Sequence, residues 1–103
     1  MNVHKENLRL QILCNKITRE LDLPHIKVKL SEENSNECYG LYFYENHWIK
    51  IYSRVAQKQL TQEKLREIMC HEVAHYYQYV NYDNLKHNEQ YWLTYNDIIS
   101  RFY

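Results

Sequence analysis

His71 and His75 stand four residues apart, with Glu72 beside the first, in the stretch 70-CHEVAHYYQYV-80. On a helix this spacing puts both imidazoles on one side, one turn apart, where they can share a single divalent cation. The intervening glutamate can then take a proton from a water activated at that cation. The chemistry implied is metal-assisted hydrolysis, with His71 and His75 as ligands and Glu72 as general base.

The helical phase supports this pattern. With Leu65 as origin, Ile68, Met69, Tyr76, Tyr79 and Val80 lie within about 60° of it, which makes that side the buried face. Glu72 falls about 20° from the centre of this face, and the two histidines lie near its edge. A carboxylate among aromatic side chains stays ionised only when a cation is close. No lysine or arginine lies one turn away on that face, so a metal ion is the expected source of positive charge.

A catalytic zinc takes three protein ligands and keeps an open position for water. Gln78 and Asn81 stand where an extended motif would carry glycine and a third histidine. Asp83, His87 and Glu89 are therefore the candidates for the third ligand. Asp83 falls in an expected turn, where local hydrogen bonding is its ordinary work. On a continuous last helix His87 and Glu89 point about 160° apart, so only one of them can face the site. Glu89 shares its side with Leu85, Trp92, Asn96 and Ile99 and is the preferred ligand. Asn88 and Asn96 are candidates to orient a histidine.

These residues need elements to hold them. The steps between Leu10, Leu13, Cys14, Ile17 and Leu21 predict a helix over 5–22, ended by Pro24. The alternation in 25-HIKVKL-30 predicts a strand, and 31-SEENSNE-37 reads as a loop. Two further strands, 38-CYGLYFY-44 and 47-HWIKIYS-53, are joined by Glu45-Asn46 as a hairpin. Gly40 is the chain's one glycine, and inside a strand it marks a bulge or a close backbone approach. Thr61 is the expected N-cap of the histidine helix, with Leu60 and Leu65 as a hydrophobic staple. That helix is expected to run to about Val80, followed by a turn at 81-NYDN-84 and a last helix over 85–99. The fold class is α+β, in one domain spanning residues 1–103.

Composition narrows the partners. Thirteen basic residues balance thirteen acidic ones, which gives no field for a phosphate backbone, so nucleic-acid binding is not expected. Three cysteines without a Cys-x-x-Cys pair fit a reducing compartment rather than a disulfide scaffold. No segment is apolar enough for membrane insertion, and the expected setting is cytoplasmic. Nothing in the sequence indicates an oligomeric state. Tyrosine, present 11 times, offers apolar area with a hydroxyl that seeks a partner.

On its His-Glu-x-x-His motif and the glutamate expected on a following helix, the chain resembles the gluzincin metallopeptidases. Over nearly its whole length it is similar to the archaeal minigluzincins, in the order helix, three strands, active-site helix, glutamate helix. That resemblance implies a zinc-dependent metalloendopeptidase acting on peptide or protein substrates, with one Zn2+ held by His71, His75 and Glu89. A non-peptidase amidase, or a metal-binding protein without activity, would carry the same residues. Leu93 replaces the aspartate of the family's Glu-x-x-x-Asp pattern, leaving Asn96 or another group to orient a histidine. The substrate is expected to add along the edge of the strand containing Cys38, Tyr39, Gly40, Leu41 and Tyr42. The resemblance also implies latency through 100-SRFY-103, with Phe102 and Tyr103 plugging the cleft.

Overall fold

The computed structural model describes residues 2–103. The architecture is α+β: α1 (Val3–Glu20), β1 (Lys27–Ser35), β2 (Gly40–Phe43), β3 (Trp48–Val55), β4 (Lys58–Gln59), α2 (Gln62–Tyr82) and α3 (Glu89–Phe102). Asn2 caps α1 by accepting from the Lys5 N–H at 3.0 Å. The expected stripe is the buried one, through Leu10, Cys14 and Ile17, whereas Leu8 and Ile12 face solvent.

β3 is the middle strand of the sheet. β1 runs parallel to it on one side, with Val28 opposite Ile49 and Leu30 opposite Ile51. β2 runs antiparallel on the other side, with Gly40 opposite Ile51 and Tyr42 opposite Ile49. β1 extends through residues 31–35, a stretch whose polarity reads as a loop. Ser31 and Ser35 are buried there, and a register shift between Ser31 and Asn34 lets Asn34 and Ser35 pair with Arg54 and Val55. Ladder pairing outweighs composition at such a bulge. The fourth strand was not expected either. Ala56 and Gln57 both take positive φ, as a tight type I′ hairpin requires, but neither is a residue that announces one.

The two edges of the sheet are treated differently. Along β1, Gln11 of α1 donates to the Ile26 carbonyl and accepts from the Val28 N–H, while Asn7 accepts from the Leu30 N–H. Two side chains one turn apart on α1 thus occupy the outer hydrogen-bonding groups of β1. β2, at the other edge, has only β3 as a strand neighbour.

α2 packs across the sheet and begins at Thr61, whose hydroxyl accepts from the Lys64 N–H at 3.1 Å. Leu65 is fully buried and Leu60 packs against the same core. Asp83 ends the helix in the left-handed conformation. α3 starts four residues later than expected. Its buried residues are Tyr91, Thr94 and Ile98, not the side bearing Trp92 and Asn96, which is exposed. Leu85 lies in the return between the helices, outside the periodicity of α3. Among the described residues, no helix is long and apolar enough to cross a membrane.

Candidate metal centre

α2 carries His71, Glu72 and His75 on the side that borders an open cleft of about 600 Å³. The other wall comes from 38–42, which contributes Cys38, Tyr39, Gly40, Leu41 and Tyr42. The two sides meet tightly at Gly40. A Cβ there would stand 3.0 Å from Ile68 Cγ2, 3.0 Å from the Lys50 carbonyl oxygen and 3.4 Å from Glu72 Cγ. The close approach that this glycine signals is therefore inward, to the helix beneath.

The rings of His71 and His75 lie one turn apart with centroids at 5.2 Å. The residue that joins them is His87. Its Nε2 is 3.0 Å from His75 Nε2 and 3.4 Å from His71 Nε2. Among the described residues, these three histidines form the group whose ligand atoms converge, all within 4.8 Å of one another. Nitrogens bound tetrahedrally at ~2.0–2.1 Å stand roughly 3.3 Å apart, so the spacing suits one small cation.

The donor chemistry fits as well. Burial lowers the pKa of His75 to about 4, with His71 and His87 adding to the effect. Burial, followed by His87, also lowers that of His71. Both rings are thus held neutral, with lone pairs free for a metal. His75 Nδ1 is buried without a partner. When Nε2 is a ligand, this nitrogen carries the proton.

Glu72 is 5% exposed. Burial pushes its carboxyl up to about 7, and among the described residues no lysine or arginine pairs with it. A cation at the three imidazoles would supply the missing partner and bring the carboxyl back toward its ordinary range.

The other expected site residues fall elsewhere. Glu89 is exposed in the first turn of α3 and is not part of the convergent group. His87 stands with His71 and His75 in that group, in the place where Glu89 was expected. Helical phase separates 87 from 89 only on a shared helix, but α3 begins at Glu89, so His87 is placed by an irregular return. Asp83 is the C-cap of α2. Asn96 and Leu93 are exposed on α3. Phe102 packs against the core, and Tyr103 lies under the Arg66 guanidinium at 5.7 Å. Neither is among the residues that line the cleft, where the expected plug would lie.

Two supports were missed. Tyr91 is fully buried, stacks on His75 at 4.4 Å and donates to the His71 carbonyl at 3.1 Å. Gln78, also fully buried, donates to the Lys86 carbonyl at 2.9 Å and to Asn88 Oδ1 at 3.0 Å. Its placement one turn beyond His75 was the available signal for a role near the site.

Three convergent imidazoles stand beside a buried carboxylate, in a cleft bordered by a sheet edge, and could hold a metal ion. Residues 7–101 match the SprT-like family, and the chain belongs to that family, whose members are zinc-metallopeptidase-like and related to the minigluzincins. No curated protein and no solved structure matches the chain.

Proposed function

We propose that this protein is a zinc-dependent peptidase whose ion is held by His71, His75 and His87. The observation that carries the reading is the convergence of three Nε2 atoms next to buried Glu72. A set of three histidines differs from the two histidines and glutamate of gluzincins, so the proposal rests on metallopeptidase chemistry and not on gluzincin type.

When bound, zinc supplies Lewis acidity toward a water and a peptide carbonyl. Glu72 accepts the proton of the attacking water and passes it to the leaving amine. Burial lifts this carboxyl's pKa in the metal-free protein; a bound cation would lower it and favour the ionised form that accepts the water's proton. Tyr91 fixes the orientation of the His75 ring by stacking and ties α3 to the backbone of His71.

The substrate is an extended peptide that lies along β2. The asymmetry of the sheet supports this: Asn7 and Gln11 occupy the outer edge of β1, whereas 38–42 borders the cleft that holds the histidines. Main-chain hydrogen bonds to an edge strand hold any sequence in extended form, with side chains alternating into pockets.

The deciding experiment combines zinc content with hydrolysis of an unstructured protein such as casein. The purified chain should bind one zinc and cleave, and Glu72→Gln should keep the zinc and lose cleavage. A parent chain that neither carries nor takes up zinc would end the proposal.

A further inference from the structure

Gln78 is an amide at 0% exposure on the side of α2 that carries His71 and His75, and the chemistry proposed above makes no use of it. Its two acceptors are the residues immediately before and after His87. Gln78 Nε2 donates to the Lys86 carbonyl and to the side-chain oxygen of Asn88. The amide orientation is unambiguous, because Lys86 O can only accept and Asn88 Oδ1 already accepts from the Tyr91 N–H at 3.0 Å.

The His87 ring otherwise packs against Tyr91 at 4.8 Å and Trp92 at 5.8 Å, both on α3. Residues 85–88 are exposed, and their local bonds, Lys86 N–H to Asn84 Oδ1 and Asn88 N–H to Lys86 O, shape the return without attaching it to α2. We infer that Gln78 is the positioning residue of the metal centre: by gripping both neighbours of His87 it docks that imidazole against His71 and His75. This inference rests on the three-histidine reading.

The contacts also predict what its loss would do. Without Gln78, Lys86 O keeps the Asn88 N–H and Asn88 Oδ1 keeps the Tyr91 N–H. The unpartnered Gln78 Oε1 disappears as well. Gln78→Leu should therefore fold and still present His71 and His75, but leave His87 loosely held. Residues that orient a metal ligand are worth about 10- to 100-fold in affinity.

The test is a cycle of zinc affinities, read by chelator competition, on the parent, Gln78→Leu, His87→Ala and the double variant. Gln78→Leu should weaken zinc at least about tenfold in the parent and have almost no further effect once His87 is gone. Its cobalt(II) absorption spectrum should move toward that of His87→Ala, a change that general loosening of the fold would not produce. Asn88→Asp, which keeps the acceptor, should bind as the parent does, and Asn88→Ala should follow Gln78→Leu. The second pair carries the test if Gln78→Leu fails to fold. Equal losses with and without His87, or no loss in either single variant, would overturn the inference while leaving a zinc-binding parent intact. A parent that binds no zinc would remove the reading beneath it.

Discussion

Two parts of the molecule build one centre by opposite means. In α2, His71, Glu72 and His75 are set by helical geometry, which places the two imidazoles one turn apart as soon as the helix forms. Between α2 and α3, His87 belongs to a return with no repeating geometry, and its position depends on contacts at a distance in sequence. The first part is over-determined by backbone hydrogen bonds and a core through Leu65, Met69 and Val73. The second hangs on one buried amide, a cap and a stacked ring. The difference teaches that the residue hardest to place from the sequence is also the one whose support is most open to mutation.

Glu72→Gln should sharpen the contrast most, lowering peptide hydrolysis by roughly 10²–10⁴-fold, the usual worth of a positioned acid–base group, without releasing zinc. Next comes a direct comparison of the rival third ligands. His87→Ala should weaken zinc by more than the ~100-fold that a supporting residue can cost, whereas Glu89→Ala should leave titrated affinity unchanged. The reverse result would return the glutamate to the site and undo the contrast.

The metal-free protein offers a third measurement. The Glu72 carboxyl is raised from 4.5 to about 7 by burial. Above pH 4.5 the unfolded chain releases this proton while the folded chain keeps it, so stability falls as pH rises toward 7 and then levels. Removing the ionisable group should therefore stabilise the metal-free fold by on the order of 3 kcal/mol at pH 8 and by almost nothing at pH 4. Urea midpoints of the parent and Glu72→Gln at both pH values check the sign, and saturating zinc should shrink the difference.

Gly40→Ala tests the rigid side of the centre. The new methyl meets a backbone carbonyl and Ile68 at 3.0 Å, and overpacking of this kind costs about 1–3 kcal/mol. Chemical denaturation should show that loss. The smallest effect is expected from deleting Tyr103, which lies under the exposed Arg66 and bonds to the Ile99 carbonyl at the end of α3. An increase in hydrolysis on its removal would restore the idea of a latent tail.

Much of the scaffold was legible. The stripe of α1, the N-cap at Thr61 and the hairpin strands follow from periodicity and cap chemistry, which act over a few residues. Apart from the local β3–β4 hairpin, the unexpected parts involve partners farther along the chain. Polar 31–35 is a strand because β3 lies beside it, and α3 begins late because Asn88 is both a cap and an anchor for Gln78. Exposed Trp92 and Leu93 carry no mark in the sequence that separates them from buried Tyr91.

Sequence alone determined that two imidazoles and a carboxylate share a side of one helix, because 3.6 residues per turn leave no other arrangement. Tertiary structure decided which further residue meets them, since a return between helices is directed by the groups that bind it. It also decided which sheet edge is open, because that depends on Asn7 and Gln11 of a packed helix, whose reach no strand pattern records.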